Sequence, residues 1–293
     1  MLYKYPQAAF PYTELVAENR RREFSDFEYE LLDTGVFDEN RYFEVFIEYA
    51  KADEEDILIR IAVVNRGPKA AAIHVMPTLW FRNTWDWGYE NGPMNDVPVK
   101  PVIRGIDGPP GVGVVAAEHA AAGTYYLSAD HPEQLLFTEN QTNSARFGGI
   151  GDLPRYAKDS FHRYLVDGEA AAVNPARQGT KAAFYFQEQI EAGGTRTLRL
   201  RLSRRLADNP FGDFDGVLTQ RLAEADAFYA AVQKPGLSED EQRVQRQAFA
   251  GMLWTKQFYY YNIEQWLQGD PGTPAMADGR RQGRNSRWEH LNN

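Results

Sequence analysis

Hydrophobic and polar residues alternate along most of the chain from Phe24 to about Arg204. The segment "YFEVFIEY" places Phe43, Val45 and Ile47 on one side of an extended backbone and its glutamates on the other. A period of two is typical of half-buried strands. Similar strands are predicted at "ILIRIAVVN", "AAIHVMPTLWF", "GVGVVAAE", "TYYLSA", "QLLFTE", "AAFYFQEQ" and "TLRLRLS". Many strands with few intervening helices favour an antiparallel β-sandwich over a parallel α/β sheet.

The hydrophobic period then changes to 3.6 residues, which predicts helices in the last third of the chain. An apolar stripe runs from Phe214 to Tyr229 in "FDGVLTQRLAEADAFY". A second helix is expected to begin after Ser238, because Ser238 and Glu241 have the spacing of a capping box. Its pattern predicts that it continues to Leu267. The sequence is therefore mainly β, with α structure at its C-terminal end.

Composition restricts the partners and the compartment. The 293 residues carry a net charge of −9, which argues against a nucleic-acid partner because phosphate backbones require clustered Lys and Arg. No apolar run approaches the roughly 20 residues that span a bilayer, and the N-terminus does not resemble a signal peptide. We therefore expect no membrane partner. The absence of cysteine suits a cytoplasmic location.

No motif for metal or cofactor chemistry is apparent, and we expect no cofactor. The five histidines lack metal-ligand spacing, and no phosphate-binding or dinucleotide-binding glycine loop is complete. The acidic run from Asp53 to Asp56 lacks the spaced ligands and turn glycine of a calcium loop. A charged turn between two strands is the better interpretation of this run.

Several long motifs resemble the bacterial branch of glycoside hydrolase family 63, which includes processing α-glucosidase and mannosylglycerate hydrolase. These motifs are "YKYPQAAFPY", "YELLDTGVFDENRYFEVFIEYAKA", "MPTLWFRNTWDWG", "LLFTENQTN", "AVNPARQGTKAA" and "RQAFAGMLWTKQFYYYN". The resemblance covers essentially the whole chain. It implies an N-terminal super-β-sandwich, a helical linker and a C-terminal (α/α)6 barrel, and hydrolysis of α-glycosides with inversion.

The resemblance also implies a domain organisation. Residues 1–205 are expected to form a sandwich that is incomplete at its start, 206–237 a helical linker, and 238–293 the first helix of a truncated barrel. Both catalytic carboxylates of the family would lie outside this chain, so no catalytic residue is assigned within it. The expected partners are a saccharide or glycoside substrate and the missing remainder of the chain's own catalytic barrel.

Two aromatic segments are candidates for binding that substrate. Indole rings stack on the apolar faces of sugars, and Arg and Asn side chains donate hydrogen bonds to hydroxyl groups. The first segment supplies Trp80, Arg82, Asn83, Trp85 and Trp87. The alternative is that the tryptophans belong to the core and that Arg82 pairs with an acid at a domain interface.

The second segment is "LWTKQFYYYN", where helical geometry distributes the aromatic residues over three faces. Lys256, Tyr259 and Tyr260 are its candidates for hydrogen bonding to sugar hydroxyls. The alternative is half-buried packing with the hydroxyl groups at the rim. A different function also stays open at this point, namely a stand-alone carbohydrate-binding or scaffold module without catalysis.

Overall fold

The computed structural model describes residues 1–89, 99–147, 154–255, 261–272, 278–284 and 286–291. Twelve strands lie within these ranges: β1 (Leu2–Pro6), β2 (Tyr42–Asp53), β3 (Asp56–Asn65), β4 (Ala71–Val75), β5 (Thr78–Trp80), β6 (Val102–Ile106), β7 (Val112–His119), β8 (Gly123–Asp130), β9 (Gln134–Thr138), β10 (Gln178–Gly179), β11 (Lys181–Ile190) and β12 (Thr195–Ser203). The α-helices there are α1 (Tyr12–Arg21), α2 (Ser160–Leu165), α3 (Phe214–Val232), α4 (Glu239–Trp254) and α5 (Ile263–Gln268). A mainly antiparallel β protein with C-terminal helices is confirmed.

The strands form two antiparallel sheets. The larger sheet has eight strands in the order β1-β2-β3-β12-β8-β7-β6-β10. The smaller sheet is centred on β11, which pairs with β4, β5 and β9. All of these pairings are antiparallel, as the alternating sequence pattern predicts.

The two sheets pack against each other. A Cβ atom added to Gly113 in the larger sheet would lie 3.4 Å from a ring carbon of Phe184 in the smaller one, and one added to Gly105 would lie 3.0 Å from Phe137. Alternate residues of the facing strands, including Leu198 and Leu200, are buried. This arrangement is consistent with a β-sandwich.

Part of the outer face of the smaller sheet is covered by α2. Leu136, Phe161, Ala183 and Tyr185 form a buried cluster there, and Phe161 is the residue that α2 contributes. The smaller sheet is therefore apolar on both faces, which explains why the strand "AAFYF" has no polar alternation.

Three details differ from the sequence-based expectations. The segment "AAIHVMPTLWF" forms two strands instead of one, because Pro77 interrupts the ladder and leaves only its carbonyl to accept from the Phe184 amide. The stretch after Phe24 forms turns instead of a strand, held in part by the bond from the Tyr29 amide to Asn19 Oδ1.

The third difference concerns the second C-terminal helix. Its start is as predicted, since Ser238 and Glu241 form both hydrogen bonds of a capping box. Its end is not: α4 stops at Trp254, and α5 begins afresh with Asn262 as its N-cap. The Asn262 side chain accepts from the Gln265 amide at 2.9 Å, which supports a separate helix start.

The chain divides into two compact units. Unit 1 contains Met1–Trp80 and Val102–Val217, and unit 2 contains Phe81–Pro101 and Leu218–Asn293. None of the helices in the described ranges is both long enough and apolar enough to cross a membrane.

Candidate functional site

Four of the candidate saccharide-binding residues lie in unit 2, on one tight turn: Arg82, Asn83, Trp85 and Trp87. Trp85–Trp87 form a single 3-10 turn that ends at Gly88 with a left-handed backbone at φ 77°. A glycine adopts this conformation without strain. The turn keeps Asn83 and Asp86 close together, and the Asn83 amide donates to Asp86 Oδ2 at 2.8 Å.

Arg82 and Trp87 face each other across this turn. The Arg82 guanidinium carbon lies 5.1 Å from the centroid of the Trp87 ring, within the range of a cation–π interaction. The Arg82 side chain remains exposed. The interaction therefore orients a guanidinium whose N–H groups can still donate to a ligand.

Two buried polar atoms on the same turn have no hydrogen-bond partner in the part of the chain that the structure describes. Asn83 Oδ1 and Trp85 Nε1 are inaccessible to solvent and form no hydrogen bond with any described residue. Buried polar atoms without a partner cost free energy, so they are uncommon outside sites that bind water or a ligand. One of these atoms is an acceptor and the other a donor, and neither is satisfied within the described chain.

A segment near the C-terminus holds this turn in place within unit 2. The Gly272 amide donates to the Trp87 carbonyl at 2.8 Å. Tyr89 donates its hydroxyl proton to Asp270 at 2.8 Å and accepts from the Gln265 side chain at 2.6 Å. These contacts join the turn to α5 and to the loop after it. The sequence patterns did not predict them, because the partners are about 180 residues apart.

Trp80 lies in unit 1, at the end of β5. Its register partner on β11 is Lys181, and its side chain is 54% exposed. Exposure of a large indole is compatible with a binding role. The other candidates, Lys256, Tyr259 and Tyr260, lie outside the described residues.

The remaining charged clusters have structural explanations. Asp53 and Asp56 form the turn between β2 and β3, and within the described ranges no group of three or more His, Cys, Asp or Glu side chains could hold a metal ion. A cavity of about 600 Å³ in unit 1 is lined by side chains of both charges, among them Asp130 and Arg199. Burial raises the pKa of Asp130, but hydrogen bonds from Arg199 and His131 outweigh this and lower it overall. The negative charge of Asp130 is therefore already balanced by Arg199.

Comparison with known proteins identifies a relative in yeast. The Saccharomyces cerevisiae protein described as "Uncharacterized protein YMR196W" is 32% identical over 331 residues, which include 99% of this chain and 30% of that protein. The chain thus spans less than a third of the length of this relative. No protein-family model matches the chain.

Two solved structures show weak similarity. A polysaccharide lyase, BACCELL_00875, has a TM-score of 0.33 at 10% identity over 58% of this chain and 21% of that chain. A proposed kojibiose phosphorylase from the human microbiome has a TM-score of 0.31 at 10% identity, over 73% of this chain and 22% of that chain. Both are described as carbohydrate-processing enzymes, and likenesses this weak carry no argument about this chain.

Proposed function

We propose that this chain is the sugar-binding portion of an inverting α-glycosidase similar to glycoside hydrolase family 63. The observation that carries the proposal is the turn with Arg82 stacked on Trp87 and with two buried polar atoms that have no partner in the described chain. An aromatic face beside unsatisfied donors and acceptors is suited to a sugar ring and its hydroxyl groups.

The proposal assigns recognition to the chain, and bond cleavage to carboxylates outside residues 1–293. An inverting glycosidase needs a protonated carboxyl group and a carboxylate roughly 6.5–9.5 Å apart, with a water molecule between them. In this proposal residues 1–205 form the sandwich, 206–237 the linker, and 238–293 the start of an (α/α)6 barrel. Arg82, Asn83, Trp85 and Trp87 contribute to a subsite for a gluco- or manno-configured sugar.

The test is calorimetric titration of the 293-residue protein with α-linked gluco- and manno-disaccharides. We expect binding to weaken about tenfold in Trp87→Ala and in Arg82→Ala, because each change removes one half of the stacked pair. The control is Trp288→Ala, since Trp288 is an exposed tryptophan of unit 2 and stacks on His290 instead. This control should bind as the unaltered chain does.

Hydrolysis should be measured on the same samples by NMR of the released sugar. The 293-residue chain is expected to bind sugar without cleaving it. Steady turnover by this chain would contradict the placement of the catalytic carboxylates. Equal loss of affinity in all three variants, or no binding to any disaccharide, would contradict the subsite itself.

A further inference from the structure

A second candidate binding position lies on the outer face of the smaller sheet in unit 1. Lys181 is the first residue of β11, and its register partners are Trp80 on β5 and Thr138 on β9. Directly opposed residues in antiparallel strands project from the same face of a sheet. Trp80, Lys181 and Thr138 therefore form one cross-strand row.

The Lys181 ammonium group is half-buried, and no acid of the described residues pairs with it. Its Nζ atom lies 5.1 Å from the centroid of the Phe161 ring. In the described part of the chain, neither Lys181 nor its neighbour Lys158 forms an ion pair or a hydrogen bond through its side chain. Burial, and then the positive charge of Lys158, lower the pKa of Lys181.

This environment contrasts with that of two partly buried arginines in the same unit. Arg201 is held between Asp56 and Asp213, and Arg199 is held by Asp130.

The Thr138 hydroxyl donates to the Ala157 carbonyl at 2.6 Å, which brings the residue before Lys158 to the same cross-strand row. Two lysines at one row, with no acid paired to either in the described chain, raise the free energy of the folded chain, and an anion bound there would lower it. The two lysines thus provide positive charge that no acid of the described chain balances.

Trp80, the register partner of Lys181 on β5, provides an apolar surface for a ligand. Trp80 exposes more than half of its surface on the same sheet face, next to the lysine. An exposed indole next to an unpaired ammonium group suits a ligand with one apolar sugar face and one acidic substituent.

We propose that Trp80, Lys181 and Lys158 form a subsite for an anionic saccharide, with the sugar ring on Trp80 and its carboxylate or phosphate group at the two lysines. The saccharide part of this proposal rests on the proposed function. The anion part rests only on the row that contains Lys181. The competing explanation is that the Lys181 stem merely covers Phe161, which predicts no preference for charge.

Titration calorimetry with four ligands tests the proposal: methyl α-glucoside, methyl α-glucuronide, glucose 6-phosphate and inorganic phosphate. We expect at least one of the two anionic sugars to bind about tenfold more tightly than the neutral glucoside, as an additional charge-assisted contact provides. A preference for the glucuronide would identify a carboxylate site, and a preference for the sugar phosphate a phosphate site.

Variants assign that preference to the lysines. Lys181→Met should abolish it, Lys158→Met should weaken it, and Lys181→Arg should retain it. Lys51→Met is the matched control, because Lys51 is an exposed lysine on β2 of the same unit. Lys181→Met is expected to fold, since it removes a half-buried charge, and its thermal unfolding should be recorded beside each titration.

Each unfavourable result has a distinct meaning. If neutral and anionic sugars bind equally, this inference is wrong and the proposed function stands. If inorganic phosphate binds as tightly as the sugar phosphate, the position binds anions alone and the saccharide subsite is wrong. If no sugar binds at all, the proposed function and this inference both fail.

Discussion

On the outer face of the larger sheet, charged side chains are stabilised by ion pairs, and Arg201 is an example. Arg201 donates to Asp56 through two nitrogens, at 2.8 and 2.6 Å, and to Asp213 at 2.6 Å. It also donates to the Pro210 carbonyl at 2.9 Å. The guanidinium side chain is only 13% exposed, so its charge depends on these partners.

Replacing Arg201 with methionine should destabilise the protein by about 3 kcal/mol, because Asp56, whose side chain is only 19% exposed, loses its partner, and the more exposed Asp213 loses it too. The hydrogen bond from Arg201 is the main cause of the lowered pKa of Asp213. A lowered carboxyl pKa contributes stability above the unfolded value, and that contribution is lost as pH falls through the folded value. The difference in unfolding free energy between the unaltered protein and Arg201→Met should therefore be constant near neutral pH and decrease below about pH 4.

Urea unfolding as a function of pH measures this difference in unfolding free energy. Arg104→Met is the control, because Arg104 pairs with Glu118 at 2.7 Å while both side chains are about half exposed. We expect that variant to lose less than about 1 kcal/mol. Equal losses in Arg201→Met and Arg104→Met would contradict the role given to the buried network.

Lys181 should have the opposite effect on stability. Its pKa is lowered in the folded chain, so between the folded and the unfolded value the unfolded chain binds more protons. Stability then rises with pH over that range, and the penalty is complete below the folded value. Lys181→Met should therefore be more stable than the unaltered protein at acidic pH, and this advantage should shrink as pH rises towards 10.5.

Thermal melts of both proteins across the alkaline range measure this trend. Lys51→Met is again the control, since Lys51 is an exposed lysine on β2 of the same unit. A pH-independent gap for Lys181→Met would show that the change acts through packing against Phe161 and not through charge.

At the scale of elements, the turn around Trp87 depends on a close backbone approach. A Cβ atom added to Gly272 would lie 2.2 Å from the Asp86 carbonyl oxygen, so no side chain fits there without moving one of the two segments. Gly272→Ala should cost about 1–3 kcal/mol in unfolding free energy. Because the same contact positions Trp87, the affinity for sugar should also fall.

Gly251→Ala provides the matched comparison in the same unit. Gly251 lies inside α4, and a Cβ atom there would meet nothing within 4 Å. Alanine should stabilise the helix by about 1 kcal/mol and leave sugar binding unchanged. Urea unfolding and sugar titration of both variants check the pair. A Gly272→Ala protein that binds sugar normally would show that this contact does not position the turn.

The helices and strands also show which features the sequence pattern could predict. The alternating segments at β2, β3 and β12 predicted their strands, because each has one buried face. The capping box at Ser238 predicted the start of α4, because its two residues interact locally. The end of α4 was not predictable from periodicity, since apolar residues continue past Trp254. The contact of Tyr89 with Asp270 and the row at Lys181 depend on pairings between distant segments, which a local pattern does not contain.

For the molecule as a whole, the sequence indicated a sandwich followed by helices, and the two sheets and the helices α3 to α5 agree with this layout. The fold class was predictable because the hydrophobic period changes from 2 to 3.6 at one place in the chain. The barrel, the linker and the domain boundaries stay predictions. They depend on helices and contacts beyond what periodicity within 293 residues can specify.

The end of α4 exposes three consecutive large apolar side chains. Met252, Leu253 and Trp254 are 72%, 66% and 63% exposed, and successive helical residues point about 100° apart. The last turn of α4 therefore presents apolar side chains on three sides, whereas its first turns are polar. A helix end that is apolar all around is typical of one enclosed by other elements, as the end of the first helix of an (α/α)6 barrel would be.

The isolated chain should consequently bind a hydrophobic dye such as ANS and self-associate as its concentration rises, since large exposed apolar patches promote association. Replacing Met252 and Leu253 together with lysine should reduce both effects. Val166→Lys is the control, because Val166 is a 66% exposed valine in unit 1. Dye fluorescence and sedimentation velocity measure the outcome. If the unaltered chain stays monomeric and does not bind the dye, α4 needs no further partner, and a stand-alone binding module would replace the barrel as the better account of this protein.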